Sequence, residues 1–213
     1  TSSVAKRIKR KFTKRSKTMK SYFFNQVGAF LLLLSATGYL SAELETFDID
    51  PTHTYPTFEA DHMGGLSLWR GKINSSTGVI KFDGEAQSGS VDVLMDMTTI
   101  DFGLDEMNEH AMSDDMFDVE NYPTARYVGD LVFENGEPSE VSGKLTLHGV
   151  TKPVSLKINS FKCMFHPMKL KKACGADAEG NLKRDDFGVD YAKAFGFNMD
   201  VKLRISVEGL KSN

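Results

Sequence analysis

Met199-Asp200-Val201-Lys202-Leu203-Arg204-Ile205-Ser206-Val207 carries an apolar residue at every odd position and a polar one at every even position. Successive side chains of a strand point to opposite faces, so a period of two marks a strand with one face buried and one wet. Working outward, Val154, Leu156, Ile158 and Phe161 nearly repeat the pattern, with Ser155, Lys157 and Asn159 opposite. Val91, Val93, Met95 and Met97 alternate with Asp92 and Asp96, and Leu131 and Phe133 with Asp130, Val132 and Glu134. Asp83-Gly84 and Asn135-Gly136 are expected to supply the positive φ that tight hairpins need. From Gly103 to Val119 the period changes: Leu104, Met107, Ala111 and Met112 are spaced near a helical repeat, and Ser113-Asp114-Asp115-Met116 resembles a cap opening a second turn. The chain therefore reads as all-β, about eight strands at hairpin spacing with one or two short helices inserted. That pattern fits an antiparallel sandwich or a closed barrel.

The 213 residues hold 26 Lys+Arg against 29 Asp+Glu, a net charge of -3 that averages two unlike segments. Residues 1–42 contain nine of the bases and no acid, which leaves 17 bases against 29 acids, a net of -12, in residues 43–213. So acidic a segment is a poor partner for phosphate backbones, and nucleic-acid binding is excluded. Within residues 1–42, Met19-Lys20 precedes an apolar run from Val27 to Leu34 and then small residues ending at Ser41-Ala42. These are the basic, greasy and small-residue parts of a signal peptide, with cleavage expected after Ala42. Polar interruptions at Asn25, Gln26, Ser35 and Thr37 make the run short for a membrane span; were it retained, it would tether the domain to the inner membrane. Residues 1–18 read as an upstream extension before a start at Met19, or as a basic cytoplasmic arm. The expected division is thus an extension and signal peptide over 1–42 and one β domain over 43–213.

The candidates for inward faces are long and flexible or flat: Phe58, Trp69, Phe82, Met95, Met97, Phe133 and Phe161. Met and aromatic side chains make adaptable walls suited to an elongated apolar ligand, and the same residues equally make a packed core. A resemblance separates the two readings. Phe47-Asp48-Ile49-Asp50-Pro51-Thr52-His53, Phe58 through His62 with Gly64, and Met116-Phe117-Asp118-Val119-Glu120-Asn121-Tyr122-Pro123-Thr124-Ala125 are followed by Gly143-Lys144-Leu145-Thr146-Leu147-His148-Gly149-Val150-Thr151-Lys152-Pro153-Val154. Arg184-Asp185-Asp186-Phe187-Gly188 and Val207-Glu208-Gly209 close the series. In this order, over residues 47–210, the chain resembles the bacterial YceI-like family, lipocalin-like periplasmic proteins associated with polyisoprenoid binding. The resemblance implies an elongated eight-stranded antiparallel barrel in the periplasm, with a lumen that takes a long isoprenoid or acyl lipid. Its lumen residues would be Phe58, His62, Trp69, Phe82, Met95, Met97, Met112, Phe117, Tyr127 and Phe133. Two departures stand out: Pro56 within the first strand, which must sit at an edge or bulge, and Leu104, expected to alter one wall or mouth of the pocket.

Chemistry-bearing residues are sparse. The histidines, His53, His62, His110, His148 and His166, form no HExxH, and no GxSxG is present. No catalytic residue, metal or cofactor is therefore assigned, although an enzyme using His62 and a nearby acid on the same lipid is the alternative to a carrier. His62, on the Phe58 and Ala60 face, is the candidate for a polar tip at a ligand head group. His53 and His148, near strand ends, read as structural or solvated. The ten Met and five His suggest copper, but they form no dense tract. Cys163 and Cys174 favour a disulfide across a hairpin-like turn, as expected of an exported domain. Cys163, His166 and Cys174 would give a metal only three ligands. The bridged loop is expected to lie outside the lumen, and a homodimer is compatible with the sequence.

Overall fold

The computed structural model describes residues 44–213; the expected signal segment and its cleavage point after Ala42 lie outside the described residues. Eleven strands follow in order: β1 (Glu45–Ile49), β2 (Tyr55–His62), β3 (Ser67–Ile73), β4 (Ser76–Asp83), β5 (Ser88–Asp96), β6 (Ile100–Asp101), β7 (Thr124–Glu134), β8 (Glu137–Leu147), β9 (Val150–His166), β10 (Lys171–Lys183) and β11 (Asp200–Lys211). A single α-helix among the described residues, α1 (Asp105–Met112), lies between β6 and β7. It is the expected helix, while residues 113–116 form turns rather than a second one.

All pairings are antiparallel, and β1 pairs with both β4 and β11, which closes the sheet. The eleven strands make eight staves. β1 and β2 lie along one edge of β11, with Ile49 opposite Gly209 and Tyr55 opposite Ser206, so they are one stave broken at residues 50–54. β4 and β3 pair with β1 and β2 respectively and form the second stave, while β5 and β6 pair with β4 and β3 and form the third. β7 to β11 complete an eight-stranded antiparallel barrel, closed through β1, while β6 ends the sheet beside β3.

The first break is built by side chains. The Asp50 carboxylate accepts from the Thr52 amide (2.9 Å) and hydroxyl (2.6 Å) and pairs with His53 Nδ1 at 3.0 Å. Burial of Asp50 opposes its ionisation, but these hydrogen bonds together outweigh it and hold the carboxyl at about 2. His53, raised by the Asp50 hydrogen bond, is thus structural. Pro56 falls at this broken end, opposite Ile205 and before the ladder to β3 begins at Thr57, which is how a proline fits inside a barrel stave.

Two hairpins obey different turn chemistry. Asn135 (φ 53°) and Gly136 (φ 87°) are both left-handed, as expected for the two-residue turn between β7 and β8. Asp83-Gly84 does not supply positive φ: the Asp83 carboxylate instead accepts from the amides of Glu85 and Ala86, and Gln87 (φ 48°) takes the left-handed position. The imperfect repeat at Ile158 and Phe161 also has a cause, because the β9–β10 register shifts there and Asn159 is the extra residue. At the helical end, Ala111 of α1 is fully buried and joins a core with Met97, Ile100, Val119 and Phe187. Met97, expected on a strand, opens a 3-10 turn, Met97–Thr99. No helix among the described residues is long and apolar enough to cross a membrane.

Candidate functional site

The alternation that defines the strands also builds a site. Val201, Leu203, Ile205 and Val207 of β11, with Val154, Leu156, Ile158 and Phe161 of β9, turn one face of each stave toward a cavity of about 480 Å³ inside the barrel. That volume lies within the range of small-molecule sites, ~300–1,000 Å³. Its walls come from both ends of the strands, from Phe47, Phe82 and Phe161 at one end to His62, Trp69 and Phe197 at the other. Met95, Met97, Met107 and Met116 add flexible thioethers to an almost wholly apolar lining.

Of the ten positions assigned to the lumen from sequence, Phe58, His62, Trp69, Phe82, Met95, Met97, Phe117 and Tyr127 line this cavity. Met112 and Phe133 are not on its wall. Met112 ends α1 and packs against the core cluster, and Phe133, just past a register shift in the β7–β8 ladder, stacks behind Phe82 with ring centroids 6.1 Å apart. Leu104 is not on the wall either: it is 52% exposed at the N-terminus of α1, and Phe102 is the residue of that segment that lines the cavity.

Large rings reach the wall because glycines lie beneath them. Tyr127 crosses Gly143, where a Cβ would fall 2.4 Å from its Cζ and Oη, and Phe58 lies over Gly71 in the same way. The Tyr127 hydroxyl donates to the carbonyls of Val154 (2.8 Å) and Val141 (3.2 Å). Burial pushes its phenol well above the ordinary value, so it is a neutral donor already satisfied by backbone.

Polar groups gather at the His62 end. The His62 ring stacks on Trp69 (4.8 Å between centroids) and meets the edge of Phe197 at 5.7 Å, with Nδ1 3.3 Å from Ser67 Oγ. The adjacent acid, Asp61, accepts the amides of Asn198 (2.9 Å), Gly64 (2.9 Å) and Gly65 (2.6 Å), which lower its pKa. Its carboxylate is committed to that turn rather than to His62. Sequence reasoning missed His110, Tyr191 and Arg184, which line the same end. His110 meets the edge of Tyr191 at 4.7 Å. Arg184 is 9% exposed, and its guanidinium donates to the carbonyls of Val189 (3.0 Å) and Tyr191 (2.8 Å). Burial pulls its pKa down while Asp185, Asp190 and Asp61 act in the other direction; a guanidinium stays charged through such a shift. The one available signal was the Arg184-to-Gly188 motif, which carries no periodicity and no stated role.

His148 is held by Phe187 O (3.1 Å) and the Tyr122 ring, a structural role. Cys163 and Cys174 face each other across β9 and β10 and are joined in a disulfide. Cys174 lines the cavity, which corrects the expectation that the bridged loop lies wholly outside the lumen. Among the described residues no three His, Cys, Asp or Glu side chains gather to hold a metal ion.

Comparison with known proteins agrees with this architecture. The chain is 32% identical over 183 residues to the UPF0312 protein of Pectobacterium atrosepticum, covering 84% of this chain and 92% of the relative. It is 31% identical to Protein YceI of Escherichia coli O6:H1, covering 84% and 93%. Among solved structures it is similar in fold to Burkholderia cenocepacia BcnA (TM-score 0.61, 20% identity, 75% of this chain and 98% of that one). It is likewise similar to a polyisoprenoid binding domain from Saccharophagus degradans (TM-score 0.56, 15% identity, 80% and 100%). The YceI-like domain family matches residues 47–209, nearly the whole described barrel, and the chain belongs to that family.

Proposed function

We propose that this protein is a periplasmic carrier that holds one long, mostly linear apolar lipid in the barrel lumen, an isoprenoid such as a polyprenyl or quinone, or a fatty-acyl compound. The observation that carries the proposal is the almost wholly apolar cavity running along the barrel, with His62, His110 and Arg184 at one end. Each methylene removed from water contributes about 0.8 kcal/mol, so a long chain binds tightly with few hydrogen bonds. The weakly polar head belongs beside His62, within reach of the Arg184 and His110 end. The disulfide fits an oxidising compartment, and the structural neighbour described as a polyisoprenoid binding domain supports the ligand class. Binding is preferred to catalysis because the hydrogen bonds of the Asp61 carboxylate go to three backbone amides rather than to the His62 ring.

The test places a charge in the lumen wall. Met95→Glu puts a carboxylate among apolar side chains, where an unpaired charge is costly. The expected result is loss of copurifying lipid and of uptake of an added quinone, with the strand signal in circular dichroism retained. A variant that stays folded and holds lipid as well as the parent chain removes the lumen as the binding site.

A further inference from the structure

The tip of the β9–β10 hairpin combines exposed apolar side chains with basic charge. Met164, Phe165, Met168 and Leu170 fall within seven residues and are 53%, 62%, 84% and 71% exposed. Residues 161–176 hold four lysines and no acid, in a domain whose remaining residues are strongly acidic. Lys172 is engaged by Glu45; Lys162 and Lys169 are exposed and Lys171 is half-buried. The β8–β9 ladder ends at Glu140 opposite Lys157, so β9 runs past the end of its neighbour and the hairpin continues without it. Exposed apolar side chains clustered this way on a soluble surface mark an interaction site.

The tip is also rigid. The Cys163–Cys174 disulfide staples its base. In the turn, Leu170 N–H donates to His166 O (2.9 Å), and His166 Nδ1 accepts from the amides of Met168 (3.3 Å) and Lys169 (3.2 Å). Four apolar side chains are thereby presented without the entropic cost of ordering a loop on binding.

We propose that this hairpin docks the protein on a lipid surface carrying anionic headgroups, with Met164, Phe165, Met168 and Leu170 entering the acyl boundary and Lys162, Lys169 and Lys171 facing the headgroups. Charge decides the occupant. A basic rim around an apolar tip matches an anionic bilayer, and each lysine near such a surface strengthens binding about fivefold. The inference does not depend on what fills the lumen.

The experiment uses the full chain with Met168→Trp and reads fluorescence from the tip, with the native Trp69 signal subtracted using the parent chain. Because the probe is local, membrane attachment through residues 1–42 does not produce the signal. With phosphatidylcholine vesicles containing 30% phosphatidylglycerol, the emission should shift to the blue and be quenched by brominated acyl chains. Phosphatidylcholine alone should give neither effect. Adding K162E, K169E and K171E should raise the lipid concentration for half-shift at least tenfold, as should 0.5 M salt. Emission at the solvent-exposed wavelength on anionic vesicles overturns the proposal, and so does a shift that ignores the lysines; a tip that serves a protein partner gives the first of these results. Lipid in the lumen is measured separately, so either proposal can fail alone.

Discussion

Gly143→Ala tests how the lumen wall is built. The methyl would fall 2.4 Å from Cζ and Oη of Tyr127, whose hydroxyl is anchored to the carbonyls of Val141 and Val154. The ring can move away only by breaking the one hydrogen bond its hydroxyl proton shares between those carbonyls, about 1 kcal/mol, and disturbing packing worth about 1–3 kcal/mol. The expected loss is about 2–4 kcal/mol, or roughly 5–15 °C in Tm for a domain of this size. Urea and thermal unfolding followed by circular dichroism measure it. In a Tyr127→Leu background, where no ring covers the glycine, the same substitution should cost under about 1 kcal/mol, and the double-mutant cycle isolates the contact. Equal costs in the two backgrounds, or a loss below about 0.5 kcal/mol in the parent, would show that the Tyr127 ring does not depend on Gly143.

Two further predictions follow from local chemistry. Reducing the Cys163–Cys174 disulfide, or replacing both cysteines by serine, should lower stability by about 2–3 kcal/mol, as the chain-entropy model gives for so short a loop; alkylation followed by intact mass should find no free thiol beforehand. The Asp50 carboxyl, held at about 2, contributes stability that is complete above the ordinary carboxylate value and is lost as pH falls toward 2. Asp50→Asn should flatten acid unfolding between pH 4 and 2 by an amount on the order of 1–2 kcal/mol, and superimposable acid profiles would contradict the assignment. His53 works in the opposite sense, losing its part as pH rises through its raised value.

Much of the barrel was legible because burial of one face imprints a period of two. Val201 to Val207 kept that period and line the cavity as the pattern required. Where the backbone slips, the signal weakened for a physical reason, as at Asn159, the extra residue in the β9–β10 register. Asp83-Gly84 read as a positive-φ turn because the pair usually is one, yet a carboxylate binding two amides achieves the reversal without it. The broken staves left no trace in the alternation, since β1 and β2 each alternate normally and only their shared partner β11 reveals that they are one stave. The polar end of the cavity was the least legible part. His62 lies on a strand, where its face can be counted. Arg184, Tyr191 and Phe197 come from the connection between β10 and β11, which has no period and meets His62 only through closure of the barrel.

Native mass spectrometry of the purified protein, with organic extraction of whatever it carries, tests the carrier function most directly. A prenyl or acyl lipid at close to one per chain is expected. A lumen that is empty, in a protein that also fails to take up added quinone or fatty amide, would contradict the carrier reading and leave the same residues as an ordinary packed interior.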